Sequence, residues 1–257
     1  SDVCSSDLAE PYAYLLATAW PPGFAWAERQ AFAEGLRADG ETFGLTLLGG
    51  DTVSTPGPLT VSATLLGWVP AGRMVRRGGA KIGDLVQVSG VIGDGGLGLV
   101  AARGQLEDPG GVLARRYRIP EPRLDLLQVL RDRAHAAADV SDGLIADAGH
   151  LAEASGIGLE LDLDRMPVSP AGRSWVEAQP DRAAALLRLA SSGDDYEIVC
   201  AAPDALPGFT VCGRMTAGGR VVRVDGKPVT AGPAAGATAE TQASLNHIGA
   251  GSVHAPS

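Results

Sequence analysis

The chain has 257 residues, 45 % of them hydrophobic, enough for one large domain or two ordinary ones. Thirty acidic against 21 basic side chains give a formal net charge of −9, which argues against a general affinity for nucleic acid or an anionic membrane. Cys4, Cys200 and Cys212 are too scattered for a disulfide or metal framework, and no apolar run reaches about 18 residues, so the expectation is a soluble, cytoplasmic protein.

Taken in order, "PYAYLLATAW" (11–20) reads as a strand ended by Pro21 and Pro22. Residues 24–40 have helical spacing, with Phe24, Ala27, Ala31 and Leu36 inward and Gly40 as a stop. "FGLTLLGGDT" predicts a short strand running into a glycine turn, and residues 58–70 a long strand bounded by prolines. The basic connector "AGRMVRRGGAKIGD" marks a candidate domain boundary. Beyond it come strand "LVQVSGVI", a helix through "GGLGLVAARG" and another from Arg123 to Arg133. Strand "AAADV", a helix from Asp142 to Gly156, strand "GIGLELDL", helices across 169–190 and strands "YEIVCAA", "FTVCGRM" and "GRVVRVDG" complete the pattern. From about Thr230 the composition predicts a disordered tail. Alternating strands and helices without a clean repeat predict a two-layer α/β (α+β-like) protein.

Four stretches carry candidate chemistry. "DVSD" sets Asp139 and Asp142 within four positions. Like charges a few ångströms apart repel by about 1 kcal/mol in water and roughly 4 at an effective dielectric near 20, so a positive partner is expected. Helix N-capping by Ser141 or Asp142 is the plainer alternative, and it leaves Asp139 unexplained inside a strand. "LLGGDT" ends an apolar strand on Gly49, Gly50 and Asp51, where a ligand can approach the backbone closely, although a plain turn reads the same way. "SSGDDYEIVC" packs Asp194, Asp195 and Glu197 before a strand. Acidic groups at three strand–loop junctions suit Mg²⁺ with phosphate oxygens. Arg73, Arg76, Arg77 and Lys81 supply complementary charge for a polyphosphate, or else form a solvated basic loop.

Other nucleotide signatures are not supported. "GDGGLG" (93–98) matches G-x-G-x-x-G between strand and helix, but the acidic residue expected about 20 positions on is missing. There is no Walker-type loop and no G-x-S-x-G elbow, and the four histidines show no ligand spacing.

In their order, "LLGGDT", "VRRGGAKIGDLVQVSGVIGDGGLGL", "YRIPEPRL", "ADVSDGLIADAGHLAEASG" and "SSGDDYEIV" resemble the thiamine-monophosphate kinase family. That family falls within the ATP-binding superfamily of aminoimidazole ribonucleotide synthetase and selenophosphate synthetase. The resemblance, over about Pro11 to Ala201, implies a two-domain kinase fold of the aminoimidazole ribonucleotide synthetase type. The domains would be an N-terminal ATP-binding and dimerisation domain (1–80) and a C-terminal α/β domain (81–230), with the tail at 231–257.

It also implies direct, Mg²⁺-dependent phosphoryl transfer from ATP to thiamine monophosphate in a homodimer, with no nucleic acid or membrane partner. Under it Asp51, Asp139 and Asp142 would be catalytic metal ligands, and Asp7 of "SSDL" a further one. Gly50, Asp51, Arg77 and Ser141 would contact ATP. Asp194 would stand on the substrate side, where the family has Glu. A "GDDAA"-type acidic motif has no counterpart here, so the first domain is expected to be N-terminally truncated. The family's C-terminal aromatic is not recognisable in the tail. Two alternatives stay open: a nucleotide- and Mg²⁺-binding chain without turnover, and a superfamily member with another acceptor.

Overall fold

The computed structural model describes residues 8–229, and its strands form two separate sheets. The first has three strands in the order β2-β1-β3, with β1 at Glu10–Trp20, β2 at Thr46–Ser54 and β3 at Thr60–Trp68. β1 pairs parallel with β2 and antiparallel with β3. A parallel pair needs a crossover, and helix α1 (Trp26–Phe43) supplies it before stopping at Gly44 in the left-handed conformation.

α1 contains no fully buried residue, and Ala27 and Ala31, predicted inward, are exposed. The contact with the sheet runs through aromatic rings instead. Trp20 meets Phe24 at 5.3 Å and Phe32 at 5.5 Å edge-on, Arg29 lies over its ring, and its indole N–H donates to Thr18 Oγ1. Much of this sheet stays open to solvent: Leu15, Leu47, Leu48, Val61, Leu66 and Trp68 are all exposed.

The predicted glycine turn in "LLGGDT" is strand. β2 runs through Gly49, Gly50 and Asp51, and its register against β1 shifts between Tyr14 and Leu15 in a bulge that skips Leu48. Gly50 is required by close approach, because a Cβ there would collide with the Leu16 carbonyl.

The second sheet has seven strands in the order β10-β9-β6-β8-β4-β7-β5. These are β4 (Leu85–Ser89), β5 (Ala136–Asp139), β6 (Gly158–Asp162), β7 (Ile198–Ala202), β8 (Phe209–Thr216), β9 (Arg220–Val224) and β10 (Lys227–Val229). Its helices are α2 (Asp94–Ala102), α3 (Val112–Arg118), α4 (Leu127–Arg133), α5 (Leu144–Ala154), α6 (Pro170–Glu177) and α7 (Arg182–Ala190). Of these elements α3 and β10 were not anticipated.

β7 shows why the sequence there is unbroken "IVCAA". Val199 and Ala201 join the core with Leu144, Leu151 and Leu189, while Ile198, Cys200 and Ala202 pack on the opposite face with Leu126, Leu127 and Leu130. A strand buried on both faces needs apolar residues at every position, not every second one. The sheet is therefore covered on both sides. Cys200 and Cys212 lie in this core as free thiols, and burial pushes Cys212 up to about 12, which leaves it inert. Cys4 and the predicted tail lie outside the described residues. Among the described residues no helix is long and apolar enough to cross a membrane.

Candidate active site

β5 carries Asp139 at its carboxyl end, and α5 begins five residues later at Leu144. The turn between them depends on Gly143, whose φ of 106° is closed to most side chains and whose added Cβ would lie 2.8 Å from the Ser191 carbonyl carbon. Neither Ser141 nor Asp142 caps the helix, since the position before Leu144 is Gly143 and no side-chain cap is made. The capping alternative therefore fails for both.

Two stretches more than fifty residues apart in the sequence are joined here. Asp194 N–H donates to Ser141 O at 3.0 Å, Tyr196 N–H to Val140 O at 2.9 Å and Val140 N–H to Glu197 O at 2.7 Å. Gly193 lies so close to the Ser141 carbonyl that any side chain would collide with it. Asp139, Ser141 and Asp142 on one loop and Asp194 on the other thus form one rim, with Asp194 in the left-handed region at φ 64°.

The rim is acidic and oxygen-rich. Asp139 is buried at 3 % exposure, with one carboxylate oxygen 3.9 Å from Arg77 Nη2. Asp142 is exposed, and its backbone N–H donates to the buried Asp147 carboxylate at 3.0 Å. Burial, reinforced by the charges of Asp142 and Asp139, pushes the Asp147 carboxyl up to about 6, although the Asp142 N–H and His150 partly offset this. Asp142, Asp147 and His150 bring ligand atoms within 4.8 Å of one another. Two carboxylates are hard oxygen donors and the imidazole a borderline one, so the group fits a divalent cation, and His150, read in the sequence as having no ligand spacing, is part of it.

Asp147 was not singled out in the sequence, where attention fell on Asp139 and Asp142. The available signal was its spacing, since a carboxylate three residues after Leu144 and four before Leu151 falls on the buried stripe.

The basic cluster divides. Arg77 reaches Asp139, but Arg73 pairs with Asp132, and Lys81 Nζ lies 3.2 Å from His135 Nε2, whose Nδ1 is 2.8 Å from Asp84. Gly50 and Asp51 stand on the other sheet. Asp51 is exposed on β2, opposite Ala17, and its carboxylate accepts its neighbour Thr52 N–H at 2.8 Å. No hydrogen bond or ion pair joins it to Asp139, Asp142 or Asp194 among the described residues. Asp7 lies outside them.

The "GDGGLG" segment has its own physical explanation. The Asp195 carboxylate accepts the N–H groups of Gly93 and Gly95, both at 2.8 Å, so the start of α2 is satisfied from within the chain. Side chains at Gly95 and Gly98 would collide with the backbones of Asp194 and Leu113. These glycines serve packing and not a dinucleotide. Burial pushes the Asp195 carboxyl up to about 7.

Comparison with known proteins identifies the lineage. The sequence matches the AIR synthase related protein family, its N-terminal domain over residues 1–69 and its C-terminal domain over 81–226. The crystal structure of the thiamine-monophosphate kinase from Stenotrophomonas maltophilia K279a superposes with a TM-score of 0.76 at 33 % identity, covering 89 % of this chain and 76 % of that one. The chain belongs to the thiamine-monophosphate kinase branch of the AIR synthase related family.

Within that family, the Caulobacter vibrioides thiamine-monophosphate kinase is 55 % identical over 193 residues, 75 % of this chain and 55 % of the relative. The Salmonella typhimurium enzyme is 39 % identical over 224 residues, covering 80 % and 66 % respectively. The chain therefore spans between about half and two thirds of the length of these kinases. A structure described as AaThiL complexed with AMPPCP and TMP matches at a TM-score of 0.76 and 29 % identity, over 88 % of this chain and 74 % of that one.

Proposed function

We propose that the chain transfers the γ-phosphoryl group of ATP directly to thiamine monophosphate, giving thiamine diphosphate and ADP. One observation supports this most strongly. The "DVSD" and "SGDDYE" loops close on each other by backbone hydrogen bonds and gather Asp139, Ser141, Asp142 and Asp194 on one rim, with Arg77 beside Asp139. That a relative was crystallised with an ATP analogue and TMP agrees with the reading.

In this reading Asp139 and Asp142 hold Mg²⁺, with Asp51 and Asp7 as further ligands from the first domain. Bound there, the cation supplies charge neutralisation and alignment of the phosphates. Arg77 contributes a fixed positive charge toward the transferring phosphoryl oxygens, Ser141 and Gly50 contact the nucleotide, and Asp194 faces the thiamine substrate. The bond from Pγ to the β–γ bridging oxygen breaks, and a new bond forms from Pγ to an oxygen of the acceptor phosphate. A phosphate monoester has its second pKa near ~6. Its attacking oxygen is thus already unprotonated at neutral pH, and no side chain is needed as a general base.

The same reading divides the chain near residue 80, places the protein in the cytoplasm and pairs two copies through the three-stranded sheet, whose exposed leucines and Trp68 form a surface for a partner. The test is product formation: the chain, Mg²⁺-ATP and thiamine monophosphate are incubated and thiamine diphosphate is quantified by chromatography. Magnesium-dependent product supports the kinase. ATP binding without product from this acceptor, or product only with another acceptor, overturns it.

A further inference from the structure

Glu197 has no role in the reading above, yet it is the most heavily bonded carboxylate near the rim. It is fully buried at 0 % exposure. It accepts from Ser89 Oγ at 2.6 Å, Arg123 Nε and Nη2 at 2.7 and 2.6 Å, and Arg116 Nη2 at 2.5 Å. Gly90 makes room for it, since a Cβ there would strike the carboxylate. A buried charge is tolerated only when paired and hydrogen-bonded, and here two guanidiniums neutralise it. The pairing is reciprocal: the hydrogen bond to Glu197 holds Arg123 above its ordinary pKa.

The same ion cluster grips the backbone of the rim. Arg116 Nη2 also donates to Asp195 O at 2.9 Å, so residues 195 and 197 are both held, one on each side of Tyr196. Asp194 and Tyr196 have positive φ, 64° and 50°, a conformation that is strained for a non-glycine residue and persists only where surroundings enforce it. On the opposite side the segment is bonded to Val140 and Ser141.

We propose that Glu197 is a positioning residue: clamped by Arg116 and Arg123, it sets residues 194–196 in register on residues 140–141 and so fixes Asp194 relative to Asp139 and Asp142. Its importance for turnover rests on the kinase reading, whereas the locking of the two loops does not. Phosphoryl transfer depends on alignment, so a loosened rim lowers the rate more than it lowers nucleotide affinity.

The experiment is hydrogen exchange read by mass spectrometry on the full chain, comparing wild type with Glu197→Gln, Arg123→Lys and the remote core variant Leu159→Ala. Glu197→Gln keeps the side-chain shape but loses the charge pairing. Arg123→Lys keeps the charge and loses the two-pronged contact, and serves as the milder variant should the first fail to fold. In Glu197→Gln the amides of residues 139–142 and 192–197 exchange at least tenfold faster, with β6 and β8 within twofold. Arg123→Lys shows the same pattern at about threefold, and Leu159→Ala shows the reverse. Unchanged exchange in those two segments, or acceleration spread equally over β6 and β8, overturns the proposal.

Where wild type forms thiamine diphosphate, kcat falls at least tenfold in Glu197→Gln with KM for Mg²⁺-ATP within threefold, and an unchanged kcat also overturns the proposal. If wild type forms no product while the local exchange pattern holds, the kinase reading fails and the positioning role stands.

Discussion

Asp195 couples the fold to pH. Its carboxyl is fully buried against the start of α2, and that burial raises it from 3.8 to about 7. The N–H groups of Gly93 and Gly95 partly offset the rise, Asp94 adds to it and Arg116 opposes it. The native state therefore holds this proton more tightly than the unfolded chain does. Stability from this group is complete below the unfolded value, declines as pH rises toward 7 and is gone above it. From pH 5 to pH 8, a span that crosses the native value, the loss is about two units at 1.36 kcal/mol each, about 2.7 kcal/mol.

Asp195→Asn removes the titration. The amide oxygen can accept only one of the two glycine N–H groups, and a buried unmet donor costs about 1–3 kcal/mol, so the variant is the less stable protein at pH 5. By pH 8 the gap has narrowed by about 2.7 kcal/mol and closes or reverses. Urea unfolding of both proteins at pH 5, 6, 7 and 8 measures this directly. Asp94, also raised by burial, interacts with Asp195, so the difference between the proteins reports the pair and not one carboxyl alone. Parallel stability curves for the two proteins across this range would refute the assignment.

Three further outcomes follow from the geometry. Gly193→Ala drives a methyl into the Ser141 carbonyl, lowering stability by about 1–3 kcal/mol and loosening the rim; an unchanged melting temperature contradicts the close approach. Arg77→Met leaves the fold intact, because the side chain is 60 % exposed, and weakens Mg²⁺-ATP binding about tenfold by removing a charge-assisted phosphate contact, as titration calorimetry will show. Trp68→Glu, at an exposed ring tilted against Tyr12, converts the proposed dimer to a monomer with unchanged circular dichroism; an unaltered sedimentation coefficient argues against pairing through this sheet.

How much was legible in the sequence varies with how local the cause is. Most of the strand and helix order along residues 84–224 was readable because β7 is a continuous apolar run, the strands beside it are largely apolar, and α5 shows a clear apolar stripe. Asp139 stood out as a carboxylate inside such a run. α1 was found and Phe24 was rightly placed inward, but the rest of that face was not: Trp20, at the end of β1, selects Phe32, and nothing in the helical period singles that ring out from Ala27 and Ala31. α3 escaped notice because it is short and charged, and it is held by packing against α2.

The glycines of "LLGGDT" were read as a turn, since a bulge inside a strand looks the same until the partner strand is known. Asp195 and Glu197 were grouped with Asp194 as one acidic cluster suited to Mg²⁺, whereas both are spent on bonds within the chain. Their partners, from Ser89 and Gly93 to Arg123, lie 74 to 108 positions away, so no local pattern could reveal the network. Asp51 matched its motif by sequence, yet the described geometry leaves it on a separate sheet.

The most direct measurement is metal binding at the rim, with Mn²⁺ as the paramagnetic stand-in for Mg²⁺ and ATP present. Wild type binds ATP-dependent Mn²⁺, and Asp139→Asn, an isosteric change at a residue 3 % exposed, lowers that affinity at least tenfold while the melting temperature of the ligand-free protein stays within a few degrees. Equal Mn²⁺ affinity in the two proteins would show that the cation does not sit on Asp139, and the joined loops would then not be the phosphoryl-transfer site.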